Sequence, residues 1–169
     1  MSLARAFPKS TFHGYEVSKV ALEKAATNAA KAKLSNLYFH DANNKDESLG
    51  YCEEEFDIVV VYDVLHDSTH PKDLIAQVRK AMKKEGHWLL ADIPAKESLR
   101  QNIVAPGAGT YFGFSTCLCM SCAMSVEGGA GLGTLGFTIP VAKKMLKEGG
   151  FEHVEVLTEK DNTRWFLVH

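Results

Sequence analysis

A histidine and an aspartate stand together at His66-Asp67, a few residues after the apolar run Phe56-Asp57-Ile58-Val59-Val60-Val61-Tyr62. An imidazole there can take a proton from a hydroxyl or phenol near neutral pH, because its ordinary pKa lies close to that range. The alternative is that His66 caps local structure or faces solvent. His66 and His70 are also spaced four apart with Asp67 between them, which resembles the His-Glu-x-x-His zinc pattern. The segment leaves a strand and runs into Pro71, so it need not be helical, and no third ligand is evident; no metal site is expected. Cys117, Cys119 and Cys122 form a tight trio without a nearby fourth ligand, since Cys52 is far in sequence. They are expected to be buried apolar cysteines. Gly131-Leu132-Gly133-Thr134-Leu135-Gly136 matches Gly-x-Gly-x-x-Gly. A dinucleotide site of that kind follows a strand and opens a helix. Cys122 to Ala130 does not read as a strand, so a flexible loop before the last helix is expected. Phe112, Phe114, Met120 and Met124 suit either a small-molecule pocket or ordinary core.

These residues need elements to hold them. Thr11 to Glu16 reads as a strand. Ser18 can cap a helix that Val20, Leu22 and a run of alanines carry to Ala32. Leu37 to His40 is a second strand ending in Asp41, and a polar loop runs from Asn43 to Glu55. Phe56 to Tyr62 is β-branched and nearly all apolar, the pattern of a parallel strand buried on both faces. Pro71 opens a helix with Leu74, Ile75, Val78, Ala81 and Met82 on one face, ended by Glu85-Gly86. His87 to Ile93 is the next strand. Thr138 to Lys147 is a helix with Val141, Met145 and Leu146 inward, stopped by Gly149-Gly150. Phe151 to Leu157 and Arg164 to Val168 are joined by a short turn at Asp161-Asn162, so they should pair antiparallel. The order is that of an α/β domain ending in a hairpin.

The chain has 169 residues, enough for a single domain with an ample core at 46% apolar content. Net charge is -2, and Lys and Arg occur in pairs such as Lys83-Lys84 and Lys143-Lys144, late in helical stretches, rather than in longer runs. That argues against a nucleic-acid partner. No segment reads as a membrane span or a signal peptide. Four cysteines in this length do not make a disulfide framework, which points to a reducing, cytoplasmic compartment.

A mostly parallel sheet closed by an antiparallel hairpin resembles the class I S-adenosylmethionine-dependent methyltransferases. Phe12-His13-Gly14-Tyr15-Glu16 is similar to that family's second strand, whose terminal acid accepts hydrogen bonds from the cofactor's ribose hydroxyls. Asp41-Ala42 resembles the end of the third strand, which reaches adenine. Phe56 to Tyr62 with Asp63 to Asp67 resembles the fourth strand and its loop. The resemblance thus assigns Glu16, Val17, Asp41, Ala42, Tyr62 and Asp63 to S-adenosylmethionine. A His-Asp pair like His66-Asp67 occurs in small-molecule O-methyltransferases, where the histidine is the general base. Tyr111 to Cys119 and Glu127 to Gly136 are similar to the active-site cover of methyltransferases that carry a winged-helix domain. A small hydroxylated or aromatic acceptor is implied.

The family's first strand and its Gly-x-Gly-x-Gly turn have no counterpart here. The expected fold is therefore a Rossmann-like methyltransferase sheet without its first strand, in a truncated domain lacking about 20 residues of strand, turn and helix start. The adenosine half of the cofactor site has its residues and the methionine half does not. Without the central first strand, the second and fourth strands must pair directly, or their edges must be covered by another copy in a homodimer. Three readings follow: a methyltransferase, a non-catalytic relative working through protein association or nucleoside binding, and a fragment or isoform of a longer enzyme.

Overall fold

Ser18 turns the chain from strand into helix, as its side chain predicts. In the computed structural model, which describes every residue from Met1 to His169, its hydroxyl accepts the Ala21 N–H at 3.3 Å. The chain forms two compact units, Met1–Cys52 and Glu53–His169. In the first, a short helix α1 (Ser2–Ala6) precedes β1 (Phe12–Glu16), α2 (Lys19–Lys31) and β2 (Leu37–Asp41), with a single 3-10 turn at Leu49–Tyr51. β1 and β2 are parallel, with Phe12 opposite Leu37 and Glu16 opposite Asp41. Asn36, just ahead of β2, donates its amide to the carbonyls of Ala4, Phe7 and Ser10, tying the α1 segment down.

The second unit holds β3 (Phe56–Tyr62), α3 (Pro71–Ala81), β4 (Met82–Asp92), α4 (Leu99–Ile103), α5 (Ala108–Phe114), α6 (Met120–Ala123), α7 (Ile139–Glu148), β5 (Val154–Lys160) and β6 (Thr163–Val168). A π turn at Ser115–Cys119 joins α5 to α6. The sheet order is β3-β4-β6-β5. β3 and β4 are parallel, and β4-β6 and β6-β5 antiparallel. The closing hairpin turns at Asp161 and Asn162, both with positive φ (51° and 59°). A two-residue turn that matches strand twist needs that conformation, and Asp and Asn tolerate it well. The core is Trp88, Leu90, Phe166 and Val168 from the sheet, with Ile75 and Val78 of α3 and Ala142 and Leu146 of α7, all fully buried. Trp88 and Phe151 rings meet at 5.4 Å.

Three expectations need correction. The helix from Pro71 ends at Ala81, and Met82 to Gly86, including Lys83-Lys84, lies in β4. The reason is tertiary: the N–H groups of Glu54 and Glu55 take the carbonyls of Lys80 and Ala81, and Phe56 pairs with Met82. The helix end is thereby drawn into the sheet. Second, β3 is not buried on both faces. Only Val59 is buried, while Ile58, Val60 and Tyr62 are exposed, because β3 pairs with β4 alone and α3 lies over β4. Third, the strands form two sheets rather than one, β1-β2 in the first unit and β3-β4-β6-β5 in the second.

Arg164 illustrates how the hairpin is pinned. Its buried guanidinium donates to Glu159 Oε1 at 2.7 Å and to the Ala95 carbonyl at 3.1 Å. Burial pushes the Glu159 carboxyl up, but the guanidinium outweighs this and holds it below the usual range. Glu159→Gln should cost about 1–2 kcal/mol of stability at neutral pH, because a buried guanidinium loses its charge partner while solvent screens the half-exposed carboxylate. A group with a depressed folded pKa stabilises fully above its unfolded value, near 4.3, and that contribution disappears as pH falls through the folded value. Urea melts at neutral and acid pH check this: the wild-type and variant curves should converge in acid.

Candidate functional site

Acidic residues stand where the strands of each unit end. In the first unit, the parallel register places Glu16 opposite Asp41 at the carboxyl ends of β1 and β2. Each carboxylate is anchored through one oxygen. Glu16 Oε1 accepts the Ser18 N–H at 2.8 Å. Asp41 Oδ1 accepts both the backbone N–H and the side-chain amide of Asn43 at 2.9 Å, and the Asn43 backbone bond leads in holding the Asp41 carboxyl below its usual range. Asn43 also donates to the Val17 carbonyl at 2.7 Å, and Ala42 N–H to the Glu16 carbonyl. Glu16, Val17, Asp41 and Ala42 therefore form one fixed corner. Carboxylate oxygens of this kind can accept hydrogens from a ligand's hydroxyl or amino groups.

In the second unit, β3 ends at Tyr62 and the chain turns sharply at Asp63, a non-glycine residue with φ of 59°. Backbone in that region is strained and is held by its surroundings; here the Asp63 N–H bonds to the Ala91 carbonyl at 2.8 Å. The turn sends His66 inward, where it is only 2% exposed, so it does not face solvent. Its Nδ1 lies 2.7 Å from Oδ1 of Asp92, the last residue of β4 and 1% exposed. Asp63 Oδ1 is 3.7 Å from the same nitrogen, and Asp67 Oδ1 is 3.2 Å from Nε2. Burial would lower the His66 pKa, but the bond to Asp92 and the charges of Asp92, Asp67 and Asp63 prevail and raise it. Burial, then the neighbouring Asp92 and Asp67, raises the Asp63 carboxyl despite the counter-pull of His66. Asp63 thus sits with His66, whereas Tyr62 turns its hydroxyl to Thr163 and packs on Trp165.

Cys119 closes the cluster. It is buried and accepts a hydrogen bond from the buried Thr134 hydroxyl at 2.8 Å. Burial leads in pushing its thiol up, against the Thr134 bond and helped by Asp67. Cys117 and Cys122 are exposed, which corrects the expectation that the whole trio is buried: only Cys119 is packed, against Thr134. His70 turns to Thr69. The Gly131–Gly136 loop precedes α7 as expected, and it is seated firmly. Gly133 has φ of 67°, its N–H bonds to the His66 carbonyl, and a Cβ there would meet Ser115 Oγ at 2.6 Å. Phe112 lines an open depression of about 270 Å³ with Ser98, Ser115, Leu132, Leu135 and Thr138, while Phe114 and Met124 are exposed.

Asp92 was not singled out by the sequence; Cys119 stood out only as one of three cysteines and Thr134 only as part of the glycine-rich loop. For Asp92 a signal existed: it is an acid at the carboxyl end of a strand, where ligands of open α/β sheets gather.

Several known proteins are similar to this chain. A family model described as "Methyltransferase domain" matches residues 1–150. A polyketide synthase-nonribosomal peptide synthetase of Aspergillus clavatus is 28% identical over 107 residues, covering 62% of this chain and 3% of that protein. An O-methyltransferase family protein from Burkholderia thailandensis superposes with a TM-score of 0.67 at 16% identity, over 99% of this chain and 46% of that one. PigF, solved with SAH, gives a TM-score of 0.69 at 15% identity, over 100% of this chain and 51% of that one. The chain spans about half the length of these solved structures and a small part of the Aspergillus protein. No helix is long and apolar enough to cross a membrane. The chain belongs to the methyltransferase-domain family and has the class I methyltransferase fold.

Proposed function

We propose that the chain is an S-adenosylmethionine-dependent methyltransferase domain acting on a small hydroxylated or aromatic acceptor. The buried His66–Asp92 pair, at 2.7 Å, carries the reading. S-adenosylmethionine supplies an electrophilic methyl group, so the protein's own tasks are to orient the acceptor and remove its proton. Asp92 takes the Nδ1 hydrogen, fixing the ring and leaving Nε2 with a lone pair for the acceptor hydroxyl; the surrounding carboxylates stabilise the imidazolium that forms. Glu16 would hold the ribose hydroxyls and Asp41 the adenine amino group. Val17, Ala42, Tyr62 and Asp63 would complete the contacts. The O-methyltransferase names borne by similar proteins support the acceptor class. The test is transfer of labelled methyl from S-adenosylmethionine to hydroxylated aromatic compounds by the full chain. Incorporation is expected; none, in a chain that binds S-adenosylhomocysteine, would leave the non-catalytic reading.

That second reading has its own support. β3 offers an unpaired edge with Ile58, Val60 and Tyr62 at 62%, 49% and 55% exposure. An open parallel edge of this kind favours association, and a homodimer in the cytoplasm is the form proposed. Solution mass decides it: a monomer at micromolar concentration would sink it.

A further inference from the structure

We propose that His66 Nε2, the Asp67 carboxylate and the Cys119 thiolate form a binding site for one zinc-type transition-metal ion. One ligand atom from each lies within 4.8 Å of the others. Nδ1 of His66 is committed to Asp92 at 2.7 Å, so Nε2 is the nitrogen left to coordinate. It stands 3.2 Å from Asp67 Oδ1, a buried oxygen that makes no geometrically sound hydrogen bond and that the Cys119 thiol also feels. A nitrogen lone pair and a carboxylate oxygen facing each other at that distance repel unless positive charge lies between them. A protonated imidazole supplies such charge, but the pair makes no aligned hydrogen bond. A cation does not need that alignment, and it also engages the sulfur that the π turn at Ser115–Cys119 faces inward.

The donors choose the metal. Imidazole, carboxylate and thiolate together suit zinc and exclude magnesium and calcium, which take oxygen ligands. Three protein ligands leave a fourth position for water. Asp92 behind the imidazole, and the Thr134 hydroxyl donating to the sulfur, are the outer partners such sites use to orient their ligands. On binding, the metal–sulfur bond replaces the Cys119 S–H bond and the proton leaves to solvent. This set is neither the His66/His70 spacing nor the cysteine trio. The ion takes the nitrogen proposed as base, so a loaded chain could not use it for methyl transfer; that consequence alone rests on the methyltransferase reading.

Cobalt(II) added to the reduced, metal-free full chain tests the site without any activity. A sulfur-to-cobalt charge-transfer band is expected, bleached by stoichiometric zinc. Cys119→Ser should abolish the band and weaken zinc at least about tenfold, as loss of a ligand must, while Cys117→Ser and Cys122→Ser leave both unchanged. Asp67→Asn, at a partly exposed position, should weaken zinc similarly and keep the band, which covers the case of a misfolded Cys119 variant. A band that survives Cys119→Ser, or no zinc uptake by the wild-type chain at micromolar concentrations, overturns the site. Binding of S-adenosylhomocysteine by the metal-free chain, measured alongside, shows separately whether the cofactor reading stands.

Discussion

Asp92→Ala is expected to lower the unfolding free energy by about 3 kcal/mol. Asp92 is 1% exposed, and its Oδ1 takes both His66 Nδ1 at 2.7 Å and the Ile93 N–H at 2.8 Å. Truncation strands a buried imidazole donor and a backbone donor at once. An opposing effect exists, because Asp63 and Asp67 crowd the same cluster and losing one carboxylate relieves repulsion. Their side chains are 46% and 39% exposed, however, and solvent screening limits that relief to about 1 kcal/mol or less. Desolvation wins. Chemical denaturation of the single variants and of His66→Ala/Asp92→Ala should give a coupling energy above about 1 kcal/mol, as contacting buried pairs do. Independent effects of the two substitutions would mean that the pair is not a unit.

On the proposed reading, His66→Gln should reduce methyl transfer by about a hundredfold or more, the contribution of a positioned general base. The amide can still donate toward Asp92, so the fold is kept, but it cannot accept a proton. The loss should fall on kcat and on kcat/KM alike, because the proton moves only in the transition state. Affinity for S-adenosylhomocysteine should change little, since Glu16 and Asp41, proposed to hold ribose and adenine, are retained and only the outlying contact at Asp63 neighbours His66. Transfer within about threefold of wild type would mean that His66 serves the fold and not the proton.

Much of this was readable from local chemistry. Ser18 as a helix cap, Pro71 as a helix start and Asp161-Asn162 as a tight hairpin turn all act through their own backbone, so sequence alone places them. Glu16 and Asp41 were placed at strand ends by resemblance, and both do end strands, in matching register that only the fold sets. Other features are decided by partners distant in sequence. The helix from Pro71 stops at Ala81 because Glu54 and Glu55 capture its last carbonyls, and no propensity of residues 82–86 foretells that. Asp92 looks like any strand end until His66 is folded against it. Cys119 differs from Cys117 and Cys122 through its packing against Thr134, a partner 15 residues away in sequence.

Calorimetric titration of the full chain with S-adenosylhomocysteine, repeated on Glu16→Ala, asks whether the chain binds the cofactor through that acid. Micromolar binding is expected, weakened by the substitution at least about tenfold, or about 1.4 kcal/mol. No heat with the wild-type chain, or an affinity indifferent to Glu16, would contradict it.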